Sequence, residues 1–166
     1  LLAAGLMIVT RCCTTTQARR SIDWEVLLAI AAAFGISGAL ETTGAARTIA
    51  EAVIGLAGGH AWLTLAVVYA VTLIATELIT NNAAAALMFP LALATSRSLD
   101  VSYMPFIIVV MMAASAGFAT PIGYQTNLMV YGPGGYRFSD YMRIGVPLDI
   151  AVGILAVVLA PLCFPF

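Results

Sequence analysis

The chain contains no lysine and a single histidine, and only 9% of its 166 residues are charged, against about 25% in an ordinary globular domain. So few charges cannot cover a soluble surface. All seven basic residues are arginine and the net charge is −1, so there is no basic stripe to follow a phosphate backbone and no nucleic-acid partner is expected. Cysteine is scarce too. The pair Cys12-Cys13 and the distant Cys163 form no metal-ligand spacing with one another or with His60, and we expect them to be small buried apolar residues. No nucleophile–base pair or metal cluster is present to argue for an enzyme. The sequence begins Leu1-Leu2-Ala3, without an initiator Met and without a basic stretch before its first apolar run. Neither a signal peptide nor a native start is visible, and the sequence reads as a piece of something longer.

What the chain has is apolar length: 62% of it is hydrophobic and its mean hydropathy is +1.03. Long apolar runs alternate with short charged clusters, as spans alternate with loops in a membrane protein. The expected class is therefore an all-α membrane protein, multi-pass, in the cell membrane. Residues 1–10 read as the end of a transmembrane helix and 11–23 as a cytoplasmic connection carrying Arg11, Arg19 and Arg20. Residues 24–41 form a transmembrane helix. Residues 44–58 form an interfacial helix in which Arg47 and Glu51 sit four apart on one face. Residues 61–96 then form one long apolar stretch interrupted at 80–82, and 102–131 another interrupted at 119–127. A loop at 132–143 with Arg137, Asp140 and Arg143 leads into a final transmembrane helix at 144–164. Trp24, Trp62, Tyr103 and Tyr141 suit an interfacial aromatic belt, and Asp149, near the start of the last span, reads as interfacial.

The middle stretch decides the topology. As one straight helix, about 34 residues would run roughly 50 Å, too long for a hydrocarbon core of about 30 Å. Two half-length helices fit better, as a re-entrant hairpin with its tip at 80–82. With the 11–23 connection inside, that hairpin enters from outside. Arg47 and Arg97 then lie outside, while Arg11, Arg19, Arg20, Arg137 and Arg143 face the cytoplasm, in keeping with the positive-inside rule.

The two interruptions carry the chemistry. Non-helical backbone at membrane depth is tolerated only against protein or a water-filled cavity, so two breaks imply a shared aqueous site. A helix beginning just after Asn82 and another near Asn127 would aim free N–H groups and partial positive charge at an anion. Thr80, Asn81, Asn82, Thr120, Pro121, Thr126 and Asn127 are the candidate substrate residues. None of the arginines falls at either break, so a doubly charged anion needs bound cations as counter-charge, and exposed carbonyls before each break suit a hard cation such as sodium. Glu77, one turn before the first break, is a candidate cation ligand or proton carrier, or a carboxyl that supports the hairpin tip. The bland reading makes Thr80 to Asn82 a polar kink joining helices and Pro121 an ordinary proline kink. A kink does not need seven polar or helix-breaking residues within the nine positions 119–127.

Thr76-Glu77-Leu78-Ile79-Thr80-Asn81-Asn82, followed by Ala83-Ala84-Ala85-Ala86-Leu87-Met88-Phe89-Pro90, resembles the hairpin signature Thr-Glu-x-x-Ser-Asn-Thr of the divalent anion:sodium symporters, carriers of sulfate, citrate and dicarboxylates. Ala119-Thr120-Pro121 is similar to their second break. The resemblance implies one half of an inverted-repeat transporter, the C-terminal repeat, with a re-entrant hairpin and a discontinuous helix. It implies that Thr76, Asn81 and the backbone at Ile79 and Ala119 help bind one sodium ion. Thr80, Asn81, Asn82, Thr120 and Pro121 would face substrate. Two departures stand out: Thr-Asn-Asn in place of Ser-Asn-Thr, and the longer Ile122-Gly123-Tyr124-Gln125-Thr126-Asn127, which resembles the sulfate-permease-like branch.

The expected function is sodium-coupled transport of a divalent anion, sulfate or a dicarboxylate, by an elevator-like movement. A homodimer in membrane lipid and an N-terminal half outside this chain are implied with it. The alternatives are a proton-coupled permease using Glu77 and a non-transporting anion sensor or assembly module. Sodium-independent uptake that follows a pH gradient would mark the first, and binding without flux the second.

Overall fold

The computed structural model describes residues 2–10, 12, 14–20 and 24–166, and every regular element among them is an α-helix. Leu1, Arg11, Cys13 and positions 21–23, part of the expected terminal helix and cytoplasmic connection, lie outside the described residues. In chain order the helices are α1 (Leu2–Val9), α2 (Thr15–Arg20), α3 (Trp24–Thr42), α4 (Ala45–Leu56), α5 (Ala61–Leu78), α6 (Asn81–Ser98), α7 (Met104–Ser115), α8 (Gln125–Tyr131) and α9 (Phe138–Cys163).

Glycine sets the boundaries of α4. Gly44 before it and Gly58 and Gly59 after it take φ of +73°, +59° and +78°, a left-handed backbone that costs an L side chain energy. On α4 the Arg47 guanidinium Nε lies 2.8 Å from Glu51 Oε1 with both side chains exposed, the i,i+4 pair anticipated from the spacing. Such a pair contributes only about 0.3–0.5 kcal/mol.

The core lies where α5, α6, α7 and α9 meet. Leu65 on α5, Ala92 on α6, Phe106 and Val109 on α7, and Ala160 on α9 belong to one buried cluster. Leu65 and Ala92 stand comparably far on either side of the short break between α5 and α6, so the chain doubles back there and both arms pack on α7. α9 closes the cluster with a stripe of small residues. Gly145, Asp149, Gly153, Ala156 and Ala160 are all buried, and their spacing puts them on one helical face, where missing side-chain bulk lets helices approach closely.

Two backbone contacts depend on that stripe. A Cβ on Gly153 would lie 2.6 Å from the Tyr69 ring, and one on Gly145 would collide with the Phe118 carbonyl oxygen. Tyr69, 6% exposed, donates its hydroxyl to the Asp149 backbone carbonyl at 3.0 Å, tying α5 to α9. Tyr69→Phe should therefore lower stability by about 1 kcal/mol, the usual worth of one buried hydrogen bond, read as a lower Tm of the full-length protein in detergent.

α9 begins at Phe138, earlier than the expected 144, because Asp140 caps it: its Oδ2 accepts the Arg137 N–H at 2.8 Å. Two described helices, α5 and α9, are long and apolar enough to cross a membrane. Large apolar side chains such as Ile74 on α5 and Ile144, Ile154 and Leu155 on α9 are exposed. The expectation of buried cysteines is overturned for two of the three, since Cys12 and Cys163 are free and exposed. Exposure on an apolar outer face carries little cost for so small a side chain.

Candidate functional site

The break between α5 and α6 is two residues long. Ile79 and Thr80 are extended, with ψ of 178° and 149°, and α6 starts at Asn81 rather than after Asn82. Thr80 is the N-cap: its carbonyl takes the Ala84 N–H at 2.9 Å, and its hydroxyl oxygen takes that of Ala83 at a long 3.4 Å. Asn81 and Asn82 thus occupy the first turn, where backbone N–H groups have no intrahelical acceptor. Thr80 and Asn82 are exposed and Asn81 is half-buried.

Two side chains just before this tip reach across, Thr76 to the last turn of α7 and Glu77 to the second break. Thr76, fully buried, places its hydroxyl 2.8 Å from the Ala114 carbonyl and 3.0 Å from Asn81 Oδ1. A hydroxyl has one proton, so these two acceptors share it. Glu77 Oε1 accepts the Ala119 N–H at 2.9 Å. The tip and the end of α7 are in this way stitched together by side chain to backbone contacts.

The second break runs over residues 116–124, since α7 ends at Ser115 and α8 begins at Gln125. It opens earlier than the expected 119–127, with Gly117, a poor helix former, two residues after the last helical position. It is an ordered loop. Gly117 lies against Gly123, where a Cβ would come within 3.2 Å of the Gly123 carbonyl oxygen. Thr120 Oγ1 accepts the Gly123 N–H at 2.9 Å. The Asn127 side-chain amide donates to the Gly117 and Thr120 carbonyls at 3.0 and 3.2 Å, and Tyr141 donates to the Asn127 carbonyl at 3.0 Å. Tyr141, expected in an aromatic belt, supports this loop from α9. Pro121 is buried, Thr120 half-buried and Thr126 exposed in the first turn of α8.

Asp149 corrects an expectation. It reads from the sequence as interfacial, yet it is 3% exposed and stands one turn along α9 from Gly145, which packs on Phe118 and Ala119. Its signal was the i,i+4 pattern Gly145, Asp149, Gly153, which marks a tightly packed helix face and hence a buried carboxylate. Of the candidate residues, the fold joins Thr76 to Asn81, Glu77 to Ala119 and Asn127 to Thr120. Thr80, Asn82 and Thr126 make no such cross-link among the contacts of the described residues, and their exposure leaves them open to a ligand.

Helical arms with an apolar exterior are broken here at a polar loop that their own side chains help to hold. A family model described as "Citrate transporter" matches residues 1–166, and the chain belongs to that family. It is similar to "Probable sodium/sulfate cotransporter 3" of Chlamydomonas reinhardtii, 43% identical over 159 residues that cover 94% of this chain and 18% of the relative. It is 42% identical over 158 residues to "Sodium/sulfate cotransporter 1" of the same organism, with 94% of this chain and 18% of the relative covered. "Uncharacterized transporter YfbS" of Escherichia coli is 36% identical over 167 residues, covering 100% of this chain and 27% of the relative. The kinship with divalent anion:sodium symporters, drawn from the Thr76 to Asn82 motif, is borne out by these matches. The chain spans about a fifth of the length of the sodium/sulfate cotransporters it matches.

Proposed function

We propose that this chain supplies one half of the binding site of a carrier that couples sodium to the uptake of a divalent anion, sulfate before dicarboxylates. The observation that carries this reading is the stitching of the two breaks, Thr76 to Asn81 and Ala114, and Glu77 to Ala119. It brings two polar interruptions of apolar helices into one place, and such interruptions belong at membrane depth only around an aqueous site. The names of the similar sodium/sulfate cotransporters favour sulfate and sodium over the alternatives.

In this reading α5 and α6 form a re-entrant hairpin entered from outside, and α7 and α8 are the halves of a discontinuous helix. Thr80, Asn81, Asn82, Thr120, Pro121, Thr126 and Asn127 contribute the anion-facing surface, by side-chain donors and by the first-turn amides of α6. Thr76, Asn81 and the backbone at Ile79 and Ala119 hold a sodium ion, whose charge offsets that of the anion. The exposed apolar faces of α5 and α9 meet lipid or the other half of the transporter in the cell membrane. Transport proceeds by an elevator-like displacement of the hairpin and broken helix, within a dimer.

The test is uptake of labelled sulfate against labelled succinate by the full-length protein, with sodium or with choline. Sodium-driven sulfate uptake is expected. Asn81→Ala should raise the sodium concentration for half-maximal uptake about tenfold, the equivalent of about 1.4 kcal/mol. Unchanged sodium dependence in that variant would remove Asn81 from the site. Uptake that ignores sodium and follows a pH gradient would select proton coupling, and binding without flux a sensor.

A further inference from the structure

Two carboxylates approach the loop between α7 and α8, Glu77 through its bond to the Ala119 N–H and Asp149 one turn along α9 from Gly145, which packs on Phe118 and Ala119, and each has a buried oxygen without a hydrogen-bond partner among the described residues. Glu77 Oε1 is occupied by the Ala119 N–H, but Glu77 Oε2 is buried and has no hydrogen-bond partner among the described residues. Asp149, on α9, is 3% exposed, and its Oδ1 is likewise buried and unpartnered. No basic side chain answers them, the ion pair among the described residues being Arg47 with Glu51 on α4. A buried carboxylate oxygen without a counter-charge is costly, and a cation between Glu77 and Asp149 would answer both.

The space beside them is also built. Gly123 faces Glu77, and a Cβ there would stand 2.8 Å from Glu77 Oε2 and 3.3 Å from Thr120 Oγ1. Absence of that one carbon leaves room beside a carboxylate oxygen and a hydroxyl oxygen. Hard cations take such oxygen donors, and with no group of three or more His, Cys, Asp or Glu among the described residues a transition metal is not suited.

From these observations we propose that Glu77 Oε2 and Asp149 Oδ1, with Thr120 Oγ1, form a sodium site on the α9 side of the loop, additional to the one at the hairpin tip. It rests on the sodium-coupled reading for the identity of the ion. Sodium there draws α5, the loop and α9 together, so that occupancy fixes the loop that carries Thr120 and Pro121.

The experiment is thermal unfolding of the purified full-length protein in detergent, with sodium chloride titrated against choline chloride at constant ionic strength. The rise of Tm with the logarithm of sodium concentration reports how many ions the folded state takes up. Asp149→Asn should reduce that slope by about one ion, and Asn81→Ala should leave this ion bound. Gly123→Ala, which alters no charge, should produce the same loss by crowding Glu77, and it serves should Asp149→Asn fail to fold. Wild-type slopes in both Asp149→Asn and Gly123→Ala would overturn the site. A slope lowered by Asn81→Ala alone would overturn it too and leave the tip site standing. Wild-type uptake that ignores sodium, with the Asp149-dependent melting shift intact, would retire the transport reading and keep this site.

Discussion

Under the proposed carrier function, Asn127→Asp is expected to cut sodium-driven sulfate uptake by the full-length protein about a hundredfold, the equivalent of about 2.8 kcal/mol, at equal surface expression. The side chain is nearly unchanged in size, but its chemistry at the loop reverses. The Asn127 amide nitrogen donates to two carbonyls, Gly117 at 3.0 Å and Thr120 at 3.2 Å. A carboxylate offers no proton and places negative charge against both oxygens. Leaving buried acceptors unsatisfied costs about 1–3 kcal/mol each, before repulsion is added. The loop would open on the side that carries Thr120 and Pro121, the residues assigned to the anion. Asn127→Ala removes the donors without adding charge and should lose less. Equal losses for Asp and Ala would show that repulsion is unimportant and that the amide acts only by closing the loop. Wild-type uptake in Asn127→Asp would remove the loop from the transport cycle.

The sequence makes the helical class and the two interruptions legible because both are matters of hydropathy and local propensity. A run such as Trp62 to Ile79 followed by Thr80-Asn81-Asn82 needs no tertiary contact to be recognised as apolar helix and break. The association of Thr76 with Asn81 comes instead from the resemblance to the symporter signature, and the two side chains meet across the short turn. The second break opens at Ala116, ahead of the polar run that marks it in the sequence. Its start depends on Gly117 folding onto Gly123, a contact between two backbones that leaves no hydropathy signal.

What the sequence conceals is long-range. Glu77 and Ala119 are 42 positions apart, and Tyr69 and Asp149 are 80 apart. Nothing in the composition around Asp149 marks it as buried, since a carboxylate near the start of an apolar run is ordinarily interfacial. Its neighbours Gly145 and Gly153 tell otherwise only once α9 is taken as beginning at Phe138, with a face rather than an end at Asp149. The Asp140 cap that sets that start is local and readable, and it is the step from which the rest of α9 follows.

That face also yields the largest expected effect on stability. Gly145→Ala drives a methyl carbon into the Phe118 carbonyl group and to 2.7 Å from the Ala119 Cα. All three are backbone atoms of the loop, so no side chain can swing away, and either α9 or the loop must move. The cost should lie at or above the upper end of the about 1–3 kcal/mol typical of overpacking. The displacement also pulls on Ala119, whose N–H is held by Glu77, so uptake should fall together with Tm. Gly55→Ala on α4 supplies the contrast: nothing lies within 4 Å of its Cβ position, and alanine in a helix should stabilise by up to about 1 kcal/mol. Melting curves of the two variants in detergent should therefore shift in opposite directions, and a Gly145→Ala protein that melts and transports like the wild type would mean that α9 does not rest on the loop as described.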